Sequence, residues 1–233
     1  VTAALLHADG LRCSLGRAAD RFEVIIEHMT LRAQDRIALV GPSGCGKSTI
    51  LALLALALRP DDAADFALAG TDVLALWRRG RHDALGALRG RMVGFVPQTA
   101  GLLPFLTLRA NIALPLELMR RPEPRRVAAL AATLGIGGVL DRRPADASVG
   151  ERQRAAVARA VVHRPVILLA DEPTAAVHPA QAQATLALML AAADEAGAAM
   201  VMATHDPASA AAAGLAVVPV RSGRADGRVA WPC

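Results

Sequence analysis

The sequence predicts an α/β protein whose core is a mostly parallel sheet with helices on both faces, and three observations carry that expectation. Strand-like and helical segments alternate from residue 150 to residue 220, the order from which parallel sheets are built. A glycine-rich turn at 41–46 joins a short apolar strand to an apolar helix. Between these regions, residues 102–146 read as helical, so an insertion of helices interrupts the sheet-forming pattern.

Residues 1–40 alternate apolar and polar positions in short runs, as in FEVIIEHMTLRAQDRIALV, which predicts strands ending in a buried one at 36–40. After the glycine turn, the run ILALLALAL predicts a helix reaching about residue 58. Residues 63–98 read as mixed strand and helix, closing on the strand MVGFV. The helical stretch carries proline breaks at Pro115, Pro122, Pro124 and Pro144 and a loop at GIGG. Then come a helix at 150–163, a strand at 166–170, a helix at 179–196, a strand at 199–203, a short helix and a strand at 215–220. No internal repeat is visible, and the abundant alanines fall on helices.

At 233 residues the chain is long enough for one substantial core with a small inserted subdomain, and short for two independent domains. Apolar residues make up 54% and mean hydropathy is +0.36. The longest apolar runs nevertheless fall short of the roughly 18 to 20 residues of a bilayer-crossing helix. The opening VTAALLHADGLRC lacks the basic, apolar and cleavage segments of a secretory signal, so the cytosol or its membrane face is the expected location. Cys13, Cys45 and Cys233 show no metal spacing or paired framework, which suits a reducing compartment. A net charge of +5 favours an anionic partner: nucleotide, nucleic acid or membrane surface. Aromatic residues are only 3% and tyrosine is absent, leaving little for a stacking platform on single-stranded nucleic acid.

Residues 41–48, GPSGCGKS, satisfy G-x-x-x-x-G-K-[ST] in the strand, turn and helix context that the motif requires. Gly41, Gly44 and Gly46, interleaved with Pro42, Ser43 and Cys45, let backbone N–H groups turn inward around phosphate oxygens, and the helix N-terminus adds positive potential. Lys47 is expected on the β- and γ-phosphates and Ser48 on Mg²⁺, with Thr49 completing the phosphate-binding stretch. An ordinary strand-to-helix turn would explain the glycines but not Lys47 and Ser48. Downstream, VILLADEP at 166–173 is a buried strand ending in two adjacent carboxylates, at the strand end where parallel α/β sheets bind ligands. Asp171 is expected to hold Mg²⁺, and Glu172 to polarise the attacking water as a general base. A solvated strand cap would explain either carboxylate alone; the phosphate loop upstream favours the catalytic reading.

With these motifs in this order, the chain resembles the ATP-binding cassette (ABC) ATPase family over almost its whole length. The resemblance implies a P-loop NTPase of ABC type, with a mostly parallel sheet core, an N-terminal antiparallel β-subdomain and an inserted α-helical subdomain. Residues 1–98 and 164–233 would form the RecA-like core with its β-subdomain, and 99–163 the helical subdomain. ATP and Mg²⁺ are the implied cofactors. Gln98 in VGFVPQ is similar to the family's glutamine loop, implied to be a Mg²⁺ ligand and the joint to the helical insertion. His205 in MATHD is similar to its switch histidine, implied to touch the γ-phosphate. PADASVGERQRAAVARA at 144–160 resembles the family signature, LSGGQ or LSGGE, which caps an ATP bound to a second cassette. Ser148 would offer a hydroxyl there, Gly150 a backbone N–H, and the following helix its dipole. Arg152, Arg154, Arg159 and Arg164 read as a solvated basic face or as membrane-side charge, the solvated face being the simpler.

The chain departs from the family pattern at several positions. The signature has Ala147 for leucine and Val149 for its first glycine; a positive φ at Val149 would cost about 1 to 3 kcal/mol, and an ordinary φ would leave only crowding of the phosphate approach. The loop after the acidic pair has His178 where the family has aspartate. This is the expected N-cap of a helix opened by Pro179, where loss of the aspartate costs on the order of 0.5 to 2 kcal/mol. The aromatic that the family stacks on adenine aligns with Leu15, and Phe22 is a possible substitute. The signature and the loop at His178 are elements that the family offers across a dimer, so pairing with an unlike, intact cassette is expected as an alternative to a homodimer.

The stretch GLLPFLTLRANIALPLEL at 101–118 resembles exporters of the lipoprotein-releasing and macrolide-efflux kind, and also the cell-division cassette. In that group this region receives the coupling helix of a transmembrane permease subunit, so Leu102, Leu103, Phe105 and Leu106 form either a docking groove or the insertion's own core. The resemblance implies an energy-coupling ATPase at the cytoplasmic face of the inner membrane, peripheral to its permease, working in export or in lipid or lipoprotein extraction. A regulatory cassette that gates a membrane partner without transport is the alternative. A nucleic-acid ATPase of cassette type would carry a long coiled coil, zinc cysteines or a second cassette, and no nucleic-acid partner is expected.

Overall fold

The computed structural model describes residues 4–16, 22–175, 179–222 and 226–229. In chain order the elements are β1 (Leu6–Leu15), β2 (Phe22–Leu31), β3 (Arg36–Val40), α1 (Lys47–Leu54), β4 (Asp65–Leu68), β5 (Thr71–Asp72), α2 (Val73–Arg78), α3 (His82–Met92) and β6 (Val93–Val96). There follow α4 (Leu108–Leu118), α5 (Pro124–Thr133), α6 (Val149–Val161), β7 (Ile167–Asp171), α7 (Pro179–Ala196), β8 (Ala199–Thr204), α8 (Pro207–Ala212), β9 (Ala216–Pro219), β10 (Arg221–Ser222) and β11 (Asp226–Val229). One sheet has the order β10-β11-β2-β1-β4-β5, the other β6-β7-β8-β3-β9. The chain falls into two compact units, Val1–Arg89 with Val201–Cys233, and Gly90–Met200. The helical insertion expected at 99–163 lies within the second.

In the first unit, β1 and β2 pair antiparallel from Leu6↔Leu31 to Leu15↔Phe22, and β1 pairs antiparallel with β4 on its other edge. Matched apolar pairs such as Leu6 with Leu31, Ala8 with Met29 and Leu11 with Ile26 are buried, as a half-buried antiparallel sheet requires. β3 pairs parallel with β9 from Ile37↔Ala216 to Val40↔Pro219. α1 buries Ile50, Leu51, Leu53 and Leu54, but it ends at Leu54 and does not reach residue 58. Leu56 turns left-handed (φ 54°), and the Ala57 N–H reaches back to the Ala52 carbonyl at 2.9 Å, closing the helix. That turn usually takes glycine; here a fully buried leucine occupies it, so the apolar run gave no stop signal.

In the second unit, β6 and β7 pair parallel from Val93↔Ile167 to Val96↔Ala170. The β7 run Ile167–Ala170 is wholly buried, as befits a strand covered on both faces. α4 runs through Pro115 rather than breaking at it. Its start is fixed by Thr107, whose hydroxyl accepts the Ala110 N–H. Buried Asn111 then ties down the preceding loop: its side-chain oxygen accepts the Leu103 N–H at 2.7 Å, and its amide donates to the carbonyls of Leu103, Leu106 and Thr107. At the far end of α6, Arg126 of α5 donates to the carbonyls of Val161 and Val162 and forms an ion pair with Glu195 of α7 at 2.7 Å.

Candidate functional site

The loop after β3 is shaped for close approach of backbone. A side chain at Gly41 would collide with the Cys45 sulfur and the Val220 carbonyl, and one at Gly46, already at φ 100°, would meet the Phe22 ring at 2.8 Å. Gly46 is the N-cap of α1 and supplies no side-chain acceptor, and the first turn holds no acidic residue. The start of α1 thus carries the positive end of the helix dipole with no acidic residue in its first turn, which suits it to receive an anion. Lys47 is only 6% exposed, and its ammonium donates to the loop carbonyls of Gly41 at 2.7 Å and Pro42 at 3.0 Å. Pro42, Ser43, Gly44 and Ser48 are exposed, whereas Cys45 is buried beneath the loop.

Leu15 and Phe22, the two candidates for the adenine contact, are cross-strand partners at the end of the β1–β2 ladder. Leu15 is 37% exposed, while the Phe22 ring packs on Gly46 of the loop. His205 directly follows β8 and is exposed. Its neighbour Asp206 caps α8 by accepting the Ser209 N–H and hydroxyl, so the backbone beside the histidine is held. Hydrogen bonds from the hydroxyl and then the N–H of Ser209 keep the Asp206 carboxyl below its ordinary range.

In the second unit Asp171 ends β7, and its Oδ1 is buried with no hydrogen-bond partner among the described residues. A lone carboxylate oxygen without a partner is costly in isolation and is the donor that a hard cation takes. Glu172 follows with φ 45°, a left-handed backbone that is rare for a residue with a long side chain and typical of functional turns. Gln98 is exposed just beyond β6. The loop that follows it is pinned by Arg159 of α6, which donates to the carbonyls of Ala100 at 3.0 Å and Gly101 at 2.8 Å. Burial pushes the Arg159 guanidinium below its ordinary value.

The signature-like stretch opens α6 with a capping box. Ser148 is the N-cap, its hydroxyl accepts the Glu151 N–H, and the Glu151 carboxylate accepts the Ser148 N–H at 2.7 Å. Those bonds from Ser148, the backbone one first, hold the Glu151 carboxyl below its usual range. Val149 is the first residue of the helix, with an ordinary helical backbone and a side chain 43% exposed. The strain expected for a positive φ is absent, and crowding in front of Gly150 is what remains. His178 lies outside the described residues.

Two features departed from the sequence reading. Of the four arginines expected on a solvated face or as membrane-side charge, three make structural contacts: Arg152 donates to the Ala147 carbonyl, Arg159 to those of Ala100 and Gly101, and Arg164, still exposed, pairs with Glu123 at 3.0 Å. Asn111 was not singled out, although a lone amide inside the apolar run LRANIALPLEL is a signal for a buried polar tie. Of the docking candidates, Phe105 is 68% exposed. Leu106 lines a cavity of about 480 Å³ with Ala110, Leu114 and Val127.

Residues 27–175 match the family model described as ABC transporter. The lipoprotein-releasing system ATP-binding protein LolD of Pseudomonas fluorescens is 40% identical over 181 residues, covering 76% of this chain and 78% of that protein. The macrolide export ATP-binding/permease protein MacB of Rhodopirellula baltica is 39% identical over 197 residues, 82% of this chain but 28% of that longer protein. Among solved structures, the dimeric post-hydrolysis state of the ATP-binding cassette MJ0796 bound to ADP and Pi superposes with a TM-score of 0.80 at 24% identity over 96% of both chains.

Proposed function

The chain belongs to the ABC transporter family, and on that premise we propose that it is an ATP-hydrolysing, energy-coupling subunit that drives conformational change in a separate transmembrane permease. The observation that carries this reading is the loop at 41–46: glycines that admit only backbone lead into an uncapped helix start, with the Lys47 ammonium folded onto the loop. Such a site gathers N–H dipoles and one cation around the phosphates of ATP. Lys47 contacts the β- and γ-phosphates, and Phe22, packed on Gly46, packs beside the base in place of the exposed Leu15. Ser48, Gln98 and Asp171 would hold Mg²⁺, whose charge offsets that of the β- and γ-phosphates; the unpartnered Asp171 Oδ1 fits that role.

Glu172 takes a proton from the attacking water as the oxygen joins the γ-phosphorus and ADP leaves, and His205 steadies the γ-phosphate. Residues 99–163 act as the helical subdomain. Ser148 and Gly150 cap the nucleotide of a second cassette, and Val149 crowds that approach, so the favoured partner is an unlike cassette with an intact signature. Exposed Phe105, on a loop fixed by Asn111, is the anchor for the permease, with Leu102, Leu103 and Leu106 around it. The described residues include no helix long and apolar enough to cross a membrane, which suits a peripheral subunit at the cytoplasmic face. Export or lipoprotein extraction is the transport class, by similarity to the named relatives.

Binding of a fluorescent ATP analogue to the purified chain tests the nucleotide site. Lys47→Ala is expected to weaken it by at least about ten-fold while leaving the melting temperature within a few degrees. Unchanged binding would remove the phosphate loop from the account.

A further inference from the structure

The antiparallel sheet of the first unit carries a group of side chains that the nucleotide chemistry does not use. His7 and Asp9 stand two residues apart on β1 and share a face. On β2, His28 lies opposite Asp9 and Thr30 opposite His7, while on β4 Asp65 lies opposite Asp9. One ligand atom from each of His7, Asp9 and His28 lies within 4.8 Å of the other two, the one such group of histidine, cysteine and acidic side chains among the described residues.

One edge of the group already has the spacing of a coordination shell, and the third ligand atom lies within 4.8 Å of both others. His28 Nδ1 is 3.3 Å from Asp9 Oδ1, and an edge of about 3.3 Å is that of a tetrahedron with metal–ligand bonds of about 2.0 to 2.1 Å. The two imidazoles meet edge to face, with centroids 5.2 Å apart at 67°, so they converge without stacking. His7 Nδ1 lies 3.2 Å from the Thr30 hydroxyl, the kind of outer partner that orients a ligating ring. Its Nε2 lies 3.6 Å from Asp65 Oδ2, which brings a second carboxylate to the rim. Taken only as surface ion pairs, with side chains about one-third to one-half exposed, these contacts would contribute at most about 1 kcal/mol. That leaves their convergence across three strands without a purpose.

We propose that His7, Asp9 and His28 form a binding site for a divalent transition-metal ion of the zinc type, with Asp65 or water completing the shell. Two imidazole nitrogens and a carboxylate suit Zn²⁺ or Co²⁺, whereas Mg²⁺ and Ca²⁺ take oxygen shells. The ion would clip β1 to β2 and so be linked to the stability of the sheet.

Titration of the purified full chain with Co²⁺, followed by visible absorption, and with Zn²⁺, followed by calorimetry, tests this without nucleotide. One ion per chain is expected, with the cobalt bands of a four- or five-coordinate nitrogen and oxygen site. His7→Ala and His28→Ala should each weaken binding by at least about ten-fold, and the double variant should abolish it. Zn²⁺ should raise the melting temperature of the unmodified chain and leave that of the double variant unchanged. His28→Gln, at a largely exposed side chain, decides the matter if the double variant folds poorly. No stoichiometric uptake, or uptake unchanged in His28→Gln and in any folded double variant, overturns the proposal.

Discussion

On the proposed reading, Val149 is a side chain that is neutral for folding and still counts for function. As the first residue of α6 it has a helical backbone, so its cost is not strain but a branched, exposed group in front of Gly150. Val149→Gly is therefore expected to raise ATP turnover of the assembled cassette pair several-fold, while lowering stability by about 0.5 to 1 kcal/mol as a helical residue becomes glycine. Turnover that stays flat while stability falls would reduce the substitution to a helix effect. His163 offers a separate prediction. Burial pushes its pKa down, and its Nδ1 is buried without a partner among the described residues. A base with a depressed folded pKa is neutral in both folded and unfolded chains at high pH. As pH falls below the ordinary value of 6.5 the unfolded chain takes up the proton first, so stability is lost. Melting curves between about pH 7.5 and 5.5 should show that loss in the unmodified chain and a smaller one in His163→Phe. Lys47, Ser48, Asp171 and Glu172 could be singled out in the sequence because the roles proposed for them depend on residue type at fixed spacing. The contacts of Arg159 could not be read there, because the carbonyls of Ala100 and Gly101 that it holds lie 59 and 58 residues away in the chain; Asn111 carried a signal as a lone amide in an apolar run, but its partners are named only by the fold.

At the scale of elements, patterns with strong periodicity were read well and ends were read less well. The helix at 179–196 and the strand at 36–40 have the bounds that the sequence implied. The end of α1 was missed because a buried leucine, not a glycine, takes the left-handed turn. α4 continues through Pro115, since it is packed on neighbours that outweigh one lost hydrogen bond. Two side chains tie together helices and loops of the second unit. Arg126 closes the end of α6 and reaches α7, and Arg126→Ala is expected to cost about 2 kcal/mol in urea unfolding, a charged hydrogen-bond loss at a side chain only 10% exposed. Asn111→Leu would remove the side-chain partners of the Leu103 N–H and the Leu106 carbonyl, at a similar cost of about 2 to 3 kcal/mol. Because that loop presents Phe105, the same variant should also weaken recovery of the permease in detergent, and Arg126→Ala should not.

For the whole molecule, the account joins a nucleotide loop, an acidic strand end and a docking loop into one energy-coupling subunit. The family gives the cycle: ATP closes a pair of cassettes, hydrolysis reopens it, and the motion is passed to a membrane partner. On the proposed reading this chain is asymmetric: Lys47, Ser48, Gln98, Asp171, Glu172 and His205 serve its own nucleotide, while Val149 alters what it offers to the other. The most direct test is the Mg²⁺-dependent release of phosphate from ATP by the chain purified with its co-expressed membrane partner, compared with the Glu172→Gln complex. The account predicts steady turnover in the first and a fall of at least about 100-fold in the second, with ATP still bound. Equal turnover in the two complexes would contradict it.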